Sequence, residues 1–193
     1  MAIARLGHVG IHVHDLDREA AFYQDVLGLT MTDRDDEIGM IFFSARPDEE
    51  HHELLLCGGR TSAADALMLQ QVSFRCNGLE DIVDYYHRFK EHGVTFDMVV
   101  THGNAVAIYF YDPEGNRCEV YWSTGLKARQ PFLENIDLGR PLDQIMADVR
   151  NAVDAYGETG HVDRTILEKQ DIHVTAEPEF ISRLPSHGEP LRS

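Results

Sequence analysis

Two stretches of the chain carry the same alternation of apolar and polar positions. LGHVGIHVHDLDREAAFY (6–23) lies over LQQVSFRCNGLEDIVDYY (69–86), so that His8 meets Gln71, Val9 meets Val72, Ile11 meets Phe74, Leu16 meets Leu79 and Asp17 meets Glu80. In each, a short alternating run predicts a strand, an acidic residue opens a helix, and aromatic residues follow at helical spacing. Gly28 and Gly93 stand where the two helices should stop. Three further strand-like runs come after each stop: LTMTD, GMIFFSA and HHELLLC in the first half, VTFDMVV, AVAIYFY and RCEVYW in the second. The pattern predicts an α+β fold of two tandem βαβββ modules, 4–57 and 67–123. Laying the last strands over one another puts Glu53 opposite Glu119. In residues 124–193 the pattern changes. Leu142, Ile145, Val149, Val153 and Tyr156 form one apolar helical face, expected to pack on the modules or on a second subunit, and the polar, Pro-punctuated chain beyond Gly157 is expected to be extended.

Between the last two strands, HGNAVAIYFYDPEGNRCEVYW (102–122) folds around Asp112-Pro113-Glu114-Gly115-Asn116, which is turn chemistry. With the turn centred near Glu114, Tyr109 and Glu119 fall opposite each other on one face of a hairpin. A carboxylate in the middle of an apolar strand is costly to bury without compensating partners. Glu119 is therefore either part of a site or an outward-facing residue on a half-exposed strand.

The balance of 33 acidic against 17 basic residues, a net charge of −16, disfavours nucleic acid as a partner. No apolar run approaches membrane-spanning length and no leader pattern is visible, so a soluble, cytoplasmic protein without a membrane partner is expected. Cys57, Cys76 and Cys118 lack CxxC spacing and sit in apolar surroundings, which suits buried thiols.

Tandem βαβββ modules with polar residues on their first and last strands resemble the vicinal oxygen chelate superfamily, which includes glyoxalase I, extradiol dioxygenases, and bleomycin or fosfomycin resistance proteins. The resemblance covers residues 4 to 123 and implies two sheets curled into an open barrel around a divalent metal. VTHGNAVAIYFYDPEGNRCE is similar to the signature of type I extradiol ring-cleaving dioxygenases. That similarity implies an active-site role for His102, a substrate hydrogen bond from Tyr109 and metal ligation by Glu119. His8 resembles the first metal histidine of that family and His52 its acid–base histidine. Gln71 stands where a second metal histidine is expected, giving a ligand set of His8, Gln71 and Glu119 for Fe(II), with Mn(II), Ni(II) or Zn(II) as alternatives. The implied substrates are a small aromatic diol and O2, handled by a homo-oligomer.

Two points stay open in the sequence. Strand alternation sends His52 and Glu53 to opposite faces, so only one of them can face the metal unless a bulge intervenes. His52 inward suits a dioxygenase; Glu53 inward suits a glyoxalase-like isomerase with a four-ligand site. A protein that only sequesters a small aromatic molecule is the third reading.

Overall fold

In the first module, β1 (Val9–His12) leads into α1 (Leu16–Ala21), which continues as a π-type turn over Phe22–Val26, and β2 (Thr30–Asp35), β3 (Met40–Ser44) and β4 (Leu54–Cys57) follow. The second repeats the order with β5 (Val72–Arg75), α2 (Leu79–Glu91), β6 (Phe96–Thr101), β7 (Ala105–Tyr111) and β8 (Arg117–Ser123). This computed structural model describes residues 5–63, 66 and 69–169. Each module pairs its first strand parallel to its last and closes with an antiparallel meander. The result is two mixed sheets, ordered β1-β4-β3-β2 and β5-β8-β7-β6, that do not close into a barrel.

The alternation that predicted the strands sorts their faces. Val9, Ile11, Leu54 and Leu56 turn toward the helices in one module, and Val72, Cys118 and Val120 in the other. The opposite faces carry His8, Gly10 and Leu55, and Ser73, Glu119 and Tyr121. One apolar cluster joins the modules, with Tyr23, Phe43, Phe89 and Phe110 at its centre.

The register corrects the superposition of the last strands. Val9 pairs with Leu54 while its repeat counterpart Val72 pairs with Cys118. Leu55, not Glu53, therefore occupies the position of Glu119.

The C-terminal stripe lies on α3 (Leu142–Tyr156), whose Ile145 and Val149 are buried in the common core. Two strands not foreseen from the sequence extend the second sheet at its β6 edge: β9 (Phe132–Asn135) and β10 (His161–Val162). A second unit begins at Asp163 and holds a short helix, α4 (Arg164–Lys169), where extended chain was expected; the rest of that segment lies outside the described residues.

The Asp-Pro-Glu-Gly-Asn turn docks the second module on the first. Asp112 accepts hydrogen bonds from the backbone and side chain of Asn116, from Glu114 N and from the Tyr23 hydroxyl. Glu114 Oε1 accepts from His14 N at 2.6 Å and Asp15 N at 2.7 Å, at the start of α1. Beside them lies Glu19, fully buried, with neither carboxyl oxygen hydrogen-bonded among the described residues. Burial, and then the charges of Asp112 and Glu114, push its carboxyl up to about 9, against the weaker opposing charge of Arg18. Folding thus holds a proton that the unfolded chain releases near 4.5. That contribution to stability is complete below 4.5 and is lost as pH rises toward 9, at up to ~1.4 kcal/mol per pH unit. Glu19→Gln should flatten this slope, so that the variant gains on wild type between pH 5 and pH 8.5 in urea unfolding. A stability difference that stays constant across that range would show that Glu19 is not held protonated.

Candidate active site

Glu119 sits on β8 between two strands: Ser73 of β5 is its register partner on one side and Tyr109 of β7 on the other. Only 6% of it is exposed, so its charge depends on neighbouring donors. Oε2 accepts from Gln71 Nε2 at 2.9 Å and from Ser73 Oγ at 2.5 Å. Burial, followed by the Glu119 charge, raises the Tyr109 phenol well above its ordinary value, so it stays a neutral donor. Tyr109 and Glu119 thus stand side by side, as the turn spacing predicted.

His102 lies just beyond β6, with Nε2 3.0 Å from the Tyr109 hydroxyl. Its Nδ1 is 2.8 Å from the carbonyl oxygen of Phe132 on β9. A carbonyl can only accept, so Nδ1 carries the proton, and a neutral ring presents Nε2 as an acceptor for Tyr109. The C-terminal extension sets this tautomer, and Gln130 Nε2 also donates to the His102 backbone carbonyl. Gly103 makes the approach possible. Its φ is +70°, and an added Cβ would lie 2.5 Å from Ala128 Cβ and 3.1 Å from Val153 Cγ2.

In the first module, His8 is exposed just before β1. Its ring centroid is 4.3 Å from that of His52, which meets Phe42 edge-on at 5.2 Å. Residues 51–53 precede β4, and in these bends strict alternation does not apply. His52 therefore reaches His8, while Glu53 turns to its own loop. Arg46 Nη2 donates to Glu53 Oε1 at 2.8 Å and Ala45 N to Oε2 at 3.0 Å. Burial opposes ionisation of Glu53, but these donors outweigh it and hold the carboxyl below its ordinary value. The His52 imidazole is pushed down by desolvation and by its His8 and His51 neighbours, which favours its neutral form. His12 and His14 lie against the backbone carbonyls of Gly58 and Ser62.

Strands β1 and β5, each the edge of its sheet, flank a cleft of about 790 Å3 lined by His8, Glu53, Gln71, Ser73, Phe74 and Trp122 among others. His8 and Gln71 thus share one cleft, and Gln71 touches Glu119. Among the described residues no three His, Cys, Asp or Glu side chains cluster closely enough to hold a metal. His8 and Glu119 fit a divalent cation in donor type. Gln71 fits only in part, because its oxygen already accepts from Arg117 Nη1 at 3.0 Å. Ser73, Asp97 and Phe132 were not singled out from the sequence, and Arg117 only as one of the few basic residues on these strands. Arg117 and Ser73 share strand parity with Glu119 and Gln71, a signal that was available; nothing local pointed to Phe132.

Paired βαβββ modules with polar residues on or beside their first and last strands define a class, and the model of the Glyoxalase/Bleomycin resistance protein/Dioxygenase superfamily matches residues 5–120. The chain belongs to this superfamily. It is 28% identical over 123 residues, 62% of its length, to a manganese-dependent 2,3-dihydroxybiphenyl 1,2-dioxygenase of Geobacillus genomosp. 3. It is 30% identical over 121 residues, 60% of its length, to biphenyl-2,3-diol 1,2-dioxygenase 3 of Rhodococcus globerulus. The matches span 37% and 62% of those two relatives. Among solved structures, a lactoylglutathione lyase from Agrobacterium tumefaciens superposes with a TM-score of 0.51 at 22% identity, over 63% of this chain and 96% of that one. The fosfomycin resistance protein FosX of Listeria monocytogenes gives 0.52 at 23% identity, over 64% and 94%. These two establish a shared fold. No helix among the described residues is long and apolar enough to cross a membrane.

Gly103→Ala combines left-handed backbone with a contact no real Cβ tolerates, and should destabilise the protein by ~2 kcal/mol or more in urea unfolding. An unchanged midpoint would mean that the His102 turn does not need the close approach of residues 128 and 153.

Proposed function

We propose that this chain is a metal-dependent extradiol-type dioxygenase that cleaves the ring of a small aromatic diol with O2. The observation that carries the reading is the Tyr109 hydroxyl beside buried Glu119 and within hydrogen-bond reach of a tautomer-fixed His102. A sequestering protein has no need of that arrangement. The biphenyl-diol dioxygenase relatives support the same substrate class, and the manganese dependence of one supports Mn(II) beside Fe(II) as the metal.

His8 and Glu119 would hold the cation, with Gln71 completing the set through its amide oxygen. What such a cation supplies is Lewis acidity toward two adjacent substrate oxygens. The remaining work belongs to the chain. Tyr109, kept neutral, gives its one proton to His102 Nε2, which orients the hydroxyl so that its oxygen accepts a hydrogen bond from a substrate hydroxyl. His52, favoured as the neutral imidazole, accepts a proton from the diol. Glu53 takes no part, because Arg46, Ala45 N and Ser44 already occupy its carboxylate. This counts against a four-ligand, glyoxalase-like site.

The test is elemental analysis together with oxygen uptake on a panel of catechols. Wild type should hold about one divalent ion per chain, Glu119→Ala should lose it, and Glu53→Ala should keep it. Tyr109→Phe should retain metal while turnover falls by ~100-fold or more. Metal lost with Glu53 and no oxygen uptake in any variant would overturn the dioxygenase reading in favour of an isomerase.

A further inference from the structure

Gln71 stands at the edge of a closed set of hydrogen bonds whose chemistry determines which way its amide faces. A guanidinium can only donate and a carboxylate can only accept. Arg117 Nη1 donates to Gln71 Oε1 at 3.0 Å, and Gln71 Nε2 donates to Glu119 Oε2 at 2.9 Å and to Ser73 Oγ at 2.7 Å. Ser73 Oγ in turn donates to the same Glu119 oxygen. Turning the amide over would set its oxygen against the carboxylate and its NH2 against the guanidinium, losing two charge-assisted hydrogen bonds and creating two repulsions. Arg117 cannot easily move aside. Its Nε binds Asp97 Oδ2 at 2.7 Å in a mostly buried pair, and its guanidinium lies 4.2 Å over the Tyr109 ring.

We propose that Arg117 is a positioning residue that holds Gln71 with its nitrogen toward Glu119, so that the amide must turn over before its oxygen can join a metal, and that Arg117 thereby weakens the metal site. The inference rests on the metal-site reading above. It separates two states of the same residues. In one, Gln71 and Ser73 neutralise Glu119 by hydrogen bonding; in the other, a cation takes over that task and Arg117 loses its acceptor. The Asp97–Arg117 pair sets the balance between them. A histidine in place of Gln71 could not accept from Arg117 and donate to both Glu119 and Ser73 in this way, so the arrangement belongs to the amide.

The test is a double-mutant cycle read by Mn(II) affinity, with free Mn(II) followed by electron paramagnetic resonance, on wild type, Arg117→Met, Gln71→Ala and the double variant. Removing Arg117 alone strands buried Asp97, so Asp97→Asn/Arg117→Met is included as a variant without that uncompensated charge. Arg117→Met, alone or with Asp97→Asn, should bind Mn(II) roughly tenfold more tightly than wild type, and the gain should vanish when Gln71 is already Ala. An equal gain in the Gln71→Ala background would mean that the guanidinium acts through charge alone, and would overturn the positioning role. No gain in either background, with wild type still binding Mn(II), overturns the inference and leaves the metal site standing. Absence of Mn(II) binding in every variant removes both.

Discussion

A single charge, the buried carboxylate of Glu119, sets requirements that spread over five strands. Only 6% of it is exposed, so water supplies few of the donors it needs, and an unpaired charge at that depth would cost several kcal/mol. Ser73 and Gln71 supply them from the β5 side. Tyr109, from β7, cannot ionise beside that carboxylate, so its proton must point to an acceptor, and His102 Nε2 is there. His102 can accept only if its other nitrogen is protonated, which calls for the Phe132 carbonyl and hence for β9. On the other side, the Gln71 oxygen needs a donor, which is Arg117, and Arg117 needs Asp97 on β6. Each partner is explained by the one before it.

The repeat made the modules legible, because strand alternation and helix punctuation survive where individual residues differ. The pairing of Tyr109 with Glu119 was also legible, since a tight turn fixes hairpin register. Register between distant strands was not. HHELLLC and RCEVYW each place a carboxylate among apolar residues, and only the partner of Val9 as against that of Val72 shows that Glu53 and Glu119 are not equivalent. The choice between His52 and Glu53 turned on whether strand alternation reaches back to residue 52, and β4 begins at Leu54. Strands β9 and β10 escaped notice because four and two residues carry too little pattern to be read as strands.

The stretch that carried the family resemblance combines two kinds of residue. Tyr109 and Glu119 face the candidate site, whereas Asp112 and Glu114, in the turn between them, hold the modules together through Tyr23 and the start of α1. A spacing of this kind therefore reports scaffold and chemistry at once. Sequence alone does not say which residue serves which. The buried Glu19 beside the turn belongs to the scaffold.

The two modules repeat a backbone but divide the chemistry. The positions of Ser73, Glu119 and Tyr109 in the second module correspond through strand register to Gly10, Leu55 and Phe42 in the first. One sheet face is thus a hydrogen-bonded set around a carboxylate, and the other carries Gly10, Leu55 and Phe42 with His8 and His52 beside them, His52 set edge-on to Phe42 and Asp33 on the neighbouring strand. A planar aromatic ligand bearing two oxygens has the same division, an apolar body and a polar edge. Under the proposed function, the ring of such a ligand would meet Gly10, Leu55 and Phe42 and its oxygens would meet the Glu119 side. Two equally polar faces would have to dehydrate both sides of the cleft before accepting a ring. The apolar side chains of the first module would then matter to the proposed site as much as the polar ones of the second.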